Sequence, residues 1–143
     1  MPQLIEHIDA IGRKKQRDVL MLEFHPEWKL SIGNDEGAES YNYEKDKVRD
    51  EILENLNKLN VPWFECATYA STNMMCSYQG QIYIDVPYDE NFPLYQVLQE
   101  YLEFPDGSIR FPSVKFLCLT LECCMKNAHH DEPGFWENWA ENF

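Results

Sequence analysis

Residues Val19 to Phe24 constrain the fold more than any other segment of this sequence. The run Val-Leu-Met-Leu-Glu-Phe is almost wholly apolar, and Arg17-Asp18 and His25-Pro26 flank it. A run this short favours a strand over a helix, and apolar residues on both of its faces are typical of a strand that is buried on both sides. The sequence therefore predicts a sheet in which residues 19–24 form a central strand.

Three helices are predicted around this strand from apolar residues at helical spacing. The clearest covers residues 44–59, and a second covers residues 92–104, with Asn91 as its expected N-terminal cap. A third covers residues 2–15 and ends in a basic run. We expect that run to be solvated and to complement the negative end of the helix dipole, and it comprises Arg13, Lys14, Lys15 and Arg17.

Three further strands are predicted at residues 63–69, 81–86 and 114–121. In residues 81–86 apolar and polar residues alternate, which is typical of a strand with one buried and one solvated face. The order strand, helix, strand, strand, helix, strand is that of the split βαβ, or ferredoxin-like (βαββαβ), arrangement. We expect one α+β domain over residues 1–143, an antiparallel sheet with two helices on one face, plus the N-terminal helix and an aromatic C-terminal helical extension.

The charge of the chain excludes two classes of partner. Its 143 residues contain 25 Asp and Glu against 12 Lys and Arg, a formal net charge of -13. Phosphate backbones and anionic membranes are bound through clustered Lys and Arg, so we expect neither nucleic acid nor a membrane as a direct partner. No apolar run approaches the ~20 residues that span a bilayer, and the first residues do not resemble a signal peptide.

The cysteines indicate a reducing compartment. There are five, an odd number, and Cys123 and Cys124 are adjacent. No Cys-x-x-Cys pair is present, so neither a disulfide framework nor a zinc or redox motif is predicted. We expect these side chains to be free and mostly buried, and the protein to be cytoplasmic.

The densest group of potential metal ligands is His129-His130-Asp131-Glu132. Adjacent residues rarely all reach one ion, and no His-Glu-x-x-His helix supplies further ligands, so a polar turn is favoured over a metal site. No local signature pairs a cysteine with a histidine for nucleophilic catalysis. We expect no enzyme, no cofactor and no metal, and His129, His130 and Asp131 are the residues that an enzyme would use.

One long segment lacks positive charge. From Leu59 to Ile109 there is no Lys or Arg, and residues 59–143 carry a net charge of -9 against -4 for residues 1–58. Carboxylates steer association with basic proteins, and tyrosines supply rigid contact area; the alternative is that the charge only keeps the domain soluble. The predicted partner-binding residues are Asp85, Tyr88, Asp89, Glu90, Tyr101, Glu103 and Asp106.

The C-terminal segment carries four large aromatic side chains within nine residues, which are Phe135, Trp136, Trp139 and Phe143. Exposed together in water they would favour association. We expect them to fold back over the sheet face that the two helices leave bare, or to extend the core. A homodimer contact or insertion into a groove of a partner is the alternative.

These features favour a non-enzymatic, acidic protein-binding module that masks a basic surface on a partner. In composition the chain is similar to immunity and inhibitor proteins of bacterial toxin systems and to nucleic-acid mimics, although no motif carries that similarity. The alternative is a small-molecule-binding or regulatory ferredoxin-like domain, with a pocket between sheet and tail. The predicted lining of that pocket is Trp63, Tyr83, Trp136 and Trp139.

Overall fold

A computed structural model describes residues 5–24, 42–70 and 78–141 of the chain. Within these ranges the protein is α+β and contains a four-stranded antiparallel sheet in the order β2-β3-β1-β4. The strands are β1 (Val19–Phe24), β2 (Trp63–Glu65), β3 (Ile82–Ile84) and β4 (Val114–Leu119). Strand β1 is central and almost entirely buried, as its apolar run predicts.

Strand β3 differs from its prediction, because it is shorter than residues 81–86 and is buried on both faces. Its alternating sequence indicates one solvated face, but Tyr83 on that face is only 2 % exposed. The reason is that a helix from outside the alternating segment covers the ring, which packs with Ile8 and Ile11. The expected half-buried strand is therefore wrong.

Five α-helices and two short 3-10 helices accompany the sheet in the described residues. The α-helices are α1 (Ile8–Lys15), α2 (Lys47–Lys58), α3 (Pro93–Leu102), α4 (Leu121–Met125) and α5 (Phe135–Glu141). The 3-10 helices are Tyr43–Lys45 and Ala128–Asp131. Helices α1, α2, α3 and α5 fall in segments where the sequence predicts a helix or a helical extension, although their ends differ. Helix α4 is not predicted, and it begins at Leu121, where the predicted strand 114–121 ends.

Helix α1 begins at Ile8, whereas the sequence predicts a helix from residue 2. Residues 5–7 are not helical, because the backbone there pairs with the segment after β2. The N–H of Ile8 donates to the Ala67 carbonyl (3.0 Å), and the N–H of Ala67 donates to the Glu6 carbonyl (2.8 Å). The same pairing ends β2 at Glu65, four residues before the predicted end.

The other helix starts follow from local hydrogen bonds. Helix α2 is capped by Asp46, whose Oδ1 accepts the N–H groups of Val48 (2.9 Å) and Arg49 (3.3 Å). Asn91 does not cap α3: the N-terminal cap position is Phe92, without a side-chain cap, while the Asn91 N–H donates to Asp89 Oδ1 (2.9 Å). The helix is therefore capped one residue later than the sequence predicts.

The sheet separates two clusters of apolar side chains. On one face α2 and α3 pack against alternate residues of the strands, and the buried members include Leu20, Leu22, Ile52, Leu56, Ile82, Ile84, Leu98 and Leu102. On the other face α1 and α4 cover a smaller cluster, which is Ile8, Ile11, Val19, Met21, Cys66, Tyr83 and Cys124. Odd and even residues of β1 thus belong to different clusters.

The aromatic C-terminal residues do not cover the sheet as expected. Helices α1 and α4 occupy that position, and the rings of α5 instead surround two histidines. Trp136 stacks on His7 at a centroid distance of 5.9 Å, and Phe135 stacks on His130 at 4.5 Å. Phe143 lies outside the described residues. None of the described helices has the length and apolar character needed to cross a membrane.

Candidate functional site

The predicted partner-binding residues do not form one surface. Asp85 lies on the face covered by α1, where it is already engaged by cations. Its Oδ2 is 3.7 Å from the Lys15 ammonium, and its Oδ1 accepts hydrogen bonds from Arg17 and from the Tyr83 hydroxyl. Asp85 therefore contributes to packing on its own side of the sheet, away from the other predicted residues.

Two further predicted residues have local structural roles. Tyr101 packs its ring against Phe111 (5.6 Å between centroids) at the margin of the larger apolar cluster. Asp106 lies in an exposed turn and accepts hydrogen bonds from the Ser108 hydroxyl (2.6 Å) and N–H (2.9 Å). These bonds lower the pKa of Asp106. Through the same bonds its carboxylate closes the turn that follows α3.

The remaining predicted residues are brought together by the turn before α3 and by the end of that helix. Tyr88 stacks on Tyr95 of α3 with ring centroids 5.3 Å apart and an interplanar angle of 15°. Asp89 and Glu90 follow Tyr88 in the same turn. The charges of Glu90 and Glu103 act on the Tyr95 hydroxyl. We call Tyr88, Asp89, Glu90, Tyr95 and Glu103 the Tyr95 surface.

Tyr95 is the central residue of this surface, and its hydroxyl reaches solvent although the rest of the side chain is buried. The side chain is only 5 % exposed, yet its hydroxyl makes no hydrogen bond to any residue of the described ranges. Burial, followed by Tyr88, Glu103 and Glu90, raises the pKa of Tyr95 to about 12. The phenol is therefore neutral at physiological pH, and its oxygen is free to accept a hydrogen bond from a ligand.

A pocket of about 160 Å³ opens beside Tyr95. Its lining joins the Tyr95 surface to strand β4 and comprises Leu20, Tyr88, Tyr95, Glu103, Phe116, Leu117 and Cys118. Pockets for small molecules and cofactors usually measure roughly 300–1,000 Å³. The volume beside Tyr95 suits a single inserted side chain rather than a cofactor.

The carboxylates of the Tyr95 surface are not neutralised by neighbouring cations. Among the residues that the structure describes, Asp89, Glu90 and Glu103 form no ion pair. Arg110 lies close to Glu103, but its guanidinium Nε donates to the backbone carbonyl of Glu103 (2.9 Å) and stacks on Phe104. This surface therefore keeps its negative charge for a partner.

A second concavity, of about 670 Å³, lies between α1 and β2. It is lined by apolar side chains and by charges of both signs, including Ile11, Trp63, Phe64 and Tyr83 together with Lys14, Lys15, Glu6 and Glu65. The predicted pocket of Trp63, Tyr83, Trp136 and Trp139 is corrected in part. Trp63 and Tyr83 do line this groove, whereas Trp136 contacts His7, His130 and Trp139 instead.

The histidine segment is built into the packing of the C-terminal extension. Asp131 holds the guanidinium of Arg13 through two hydrogen bonds of 2.8 Å, and His130 is buried between Phe135 and Trp136. Neither ring nitrogen of His130 has a hydrogen-bond partner among the residues that the structure describes. In the described ranges no group of three or more His, Cys, Asp or Glu side chains could hold a metal ion.

Two important residues are absent from the predicted site. Tyr95 is not among the predicted binding residues, although Tyr95, Leu98 and Leu102 lie at i, i+3 and i+7 and are all buried. Arg13 was expected in solvent, but it is 6 % exposed and binds Asp9 and Asp131. Comparisons of the chain with protein-family models, with curated proteins and with solved structures found no match.

Proposed function

We propose that the chain is a non-enzymatic protein-binding module whose Tyr95 surface docks onto a basic region of a partner protein and masks it. The observation that carries the proposal is the unpaired hydroxyl of Tyr95, which reaches solvent from a buried ring, beside carboxylates that pair with no cation of the described residues. Lys and Arg side chains have only donors to offer, so they match an acceptor set of this kind.

The electrostatics of the whole chain supports the same partner. A net charge of -13 accelerates encounters with basic proteins and opposes encounters with acidic ones. Inside the pocket, a cation would be partly shielded from water by Tyr88 and Phe116. Charge-assisted hydrogen bonds are stronger there than on an open surface.

For the fold, we propose a ferredoxin-like βαββαβ unit formed by the four strands with α2 and α3. Three observations support it: the strand order β2-β3-β1-β4, antiparallel pairing of every neighbouring pair, and an α-helix in the described part of each of the connections β1–β2 and β3–β4. In this proposal α1, α4 and α5 are additions to that unit on the opposite face. We also propose a cytoplasmic location, because the described cysteines are free.

The test begins by capturing proteins on the immobilised chain from the cells that express it, followed by calorimetry with each purified candidate. A true partner is expected to be basic and to be released as salt rises from ~0.05 to ~0.5 M, because screening weakens exposed charge pairs. A partner whose binding ignores salt would contradict the proposal.

Two charge-matched variants then locate the surface. The site variant combines Asp89→Asn, Glu90→Gln and Glu103→Gln. The control variant removes the same charge from exposed carboxylates elsewhere and combines Glu44→Gln, Glu51→Gln and Glu137→Gln. We expect the site variant to weaken binding by ~10-fold or more and the control by less than ~2-fold. Equal losses would mean that only the net charge matters.

A second candidate is small-molecule binding in the groove between α1 and β2. Its 670 Å³ volume is in the usual range for ligand sites, and Phe64 in its wall is 56 % exposed. Thermal denaturation with a metabolite panel tests it, since a ligand specific to the native state raises the midpoint. A shift that Phe64→Ser abolishes would support this candidate, and an unchanged midpoint across the panel would remove it.

A further inference from the structure

The outer edge of β4 is the longest open edge of the sheet in the described residues. Strand β4 pairs along its whole length with β1, from Val19 opposite Leu119 to Phe24 opposite Val114. No described strand pairs with its other side. At the far side of the sheet the edge strand β2 has only three residues.

The register decides which backbone groups of β4 face outward. Between β2 and β3, the Asp85 N–H donates to the Pro62 carbonyl (3.0 Å) and the Cys66 N–H donates to the Gln81 carbonyl (3.2 Å). Odd-numbered residues of β3 therefore bond to β2, and even-numbered residues bond to β1, because hydrogen bonding alternates along an antiparallel strand.

The same alternation passes through β1 to β4. Even-numbered residues of β1 bond to β3, so Val19, Met21 and Glu23 bond to their partners on β4. Those partners are Leu119, Leu117 and Lys115. The N–H and C=O groups of Phe116 and Cys118 consequently point away from the sheet, where they are available to another strand.

The side chains of this edge are accessible and mostly apolar. Leu117 is 38 % exposed, Cys118 is also exposed, and Lys115 is the one charged residue in the strand. Sheet edges are normally protected by several charges, prolines or bulges. An edge of this composition is suited to strand addition.

The surroundings of the edge specify what kind of strand fits. On the face of α2 and α3, the Tyr95 surface adjoins Phe116 and Cys118 and presents the carboxylate of Glu103. On the other face, Leu117 presents an apolar surface. A second copy of this chain is a poor occupant, because each copy carries a net charge of -13.

We propose that β4 accepts an extended segment of the partner as a fifth strand, with Lys or Arg at alternate positions facing the Tyr95 surface and apolar residues between them. This inference rests on the proposed function and adds the form of the partner. Backbone hydrogen bonds to Phe116 and Cys118 supply affinity, as in other cases of β-augmentation. One cationic side chain enters the pocket and donates to the Tyr95 hydroxyl and the Glu103 carboxylate.

Amide hydrogen exchange with a defined peptide tests the proposal. The probe is a short peptide of alternating Lys and Val, and its control is an isomer of the same composition with the lysines grouped at one end. In the free chain we expect the amides of Phe116 and Cys118 to exchange quickly and those of Lys115, Leu117 and Leu119 slowly. The alternating peptide should slow exchange at Phe116 and Cys118 by ~10-fold or more.

Several results would overturn strand addition. Equal affinity for both isomers would mean that the chain recognises only the charge of the peptide and not the alternation of its residues. Protection at Trp63 or Glu65 would place the peptide at the β2 edge. Protection of Phe116 and Cys118 without peptide, together with a dimer in sedimentation, would mean that a second copy occupies the edge.

Two variants at one position separate the backbone from the side chain. Cys118→Pro removes the outward N–H while leaving the bonds to β1, since proline is tolerated at such positions of edge strands, and Cys118→Ala removes only the thiol. We expect the peptide to bind ~10-fold or more weakly to the proline variant and within ~2-fold of wild type to the alanine variant. If the proline variant does not fold, Tyr95→Phe should still weaken binding ~3-fold or more, and no effect of that change would contradict the pocket.

The outcomes also distinguish this inference from the function on which it rests. A basic partner whose binding depends on Glu103 but is unaffected by Cys118→Pro keeps the protein-binding function and removes strand addition. Binding that depends neither on Glu103 nor on the N–H of Cys118 would contradict the proposed function as well.

Discussion

The guanidinium of Arg13 and the carboxylate of Asp131 meet in a two-armed contact in which Nε and Nη2 each lie 2.8 Å from a carboxylate oxygen. The two residues are 118 positions apart, so the pair ties helix α1 to the segment before α5. Arg13 Nη1 also donates to Asp9 (2.9 Å) and to the Cys124 carbonyl (3.2 Å). One side chain thereby holds three segments together.

We predict that Arg13→Leu is strongly destabilising. Burial alone would raise the pKa of Asp9, but hydrogen bonds from Asn127, Ala70 and Arg13 hold that pKa below its usual value. Removing Arg13 leaves the Asp9 carboxylate buried without its cation, at a cost of about 3–5 kcal/mol in the free energy of unfolding. Urea denaturation measures the loss.

A matched change on the same helix is the control for this prediction. Lys14 forms an exposed ion pair with Glu6 (3.0 Å), and such pairs contribute about 0–1 kcal/mol. Lys14→Leu should therefore leave the urea midpoint nearly unchanged. Similar losses in the two variants would show that the buried network does not stabilise the fold.

We predict that the stability of the chain falls below neutral pH because of His130. Burial, followed by the neighbouring His129, lowers the pKa of His130; Arg13 and His7 act in the same direction and Asp9 opposes them. The unfolded chain binds a proton near pH 6.5, its usual value, while the folded chain resists it. The stabilisation is therefore complete above about pH 6.5 and is lost as the pH falls below it.

Urea midpoints between about pH 7 and pH 5 measure this dependence. His130→Phe keeps an aromatic ring against Phe135 and should flatten the profile over that range. His129→Gln, at an exposed neighbouring position, removes the smaller electrostatic contribution and should reduce the slope without abolishing it. A His130→Phe profile as steep as the wild type would contradict the assignment.

We predict that Gly12→Ala destabilises the protein although alanine is the better helix former. A Cβ at Gly12 would overlap the Cys124 sulfur where α1 and α4 cross. Overpacking of this kind costs about 1–3 kcal/mol, whereas helix propensity alone would give a gain of about 1 kcal/mol. The sign of the change in the unfolding free energy decides between the two effects.

A double-mutant cycle shows whether that contact is responsible. Adding Cys124→Ala to Gly12→Ala removes the sulfur, so part of the loss should be recovered. Strict additivity of the two changes would mean that the cost of Gly12→Ala arises elsewhere in α1.

We predict that Asp85→Asn affects stability and not partner binding. Asp85 accepts hydrogen bonds from Arg17 and from Tyr83 on the face opposite the Tyr95 surface. Hydrogen bonds to charged groups contribute about 1.5–3 kcal/mol when buried, and partial exposure here reduces the expected loss to about 1 kcal/mol. A ~10-fold loss of partner affinity in this variant would mean that the partner binds the face covered by α1, and would contradict the proposed Tyr95 surface.

Sequence reasoning succeeded where one pattern determined one element. The apolar run of β1 predicted a central buried strand, and the spacing of Ile52 and Leu56 predicted the buried face of α2. These patterns need no knowledge of distant segments, because the apolar residues of the run or of the helical stripe themselves indicate which positions are buried.

The errors arise where a distant segment decides the environment. The alternation in β3 separates its two faces correctly, but it contains no information that α1 lies over Tyr83. Arg13 was expected in solvent with its basic neighbours, because its partner Asp131 is far along the chain. Asp85 and Glu103 are both predicted as binding residues because both are acidic. Asp85 lies on the face of the sheet that α1 covers, whereas Glu103 lies on the face of α2 and α3.

Strand β4 runs into helix α4 through a single residue, Thr120, whose hydroxyl accepts the N–H of Cys123 (3.2 Å) and begins the helix. One turn later Cys124 lies against Gly12 with no room for even a methyl group. No loop separates β4 from α4 along this path. A displacement of β4 would therefore have to be accommodated at Thr120 itself or at the tight contact between Cys124 and Gly12.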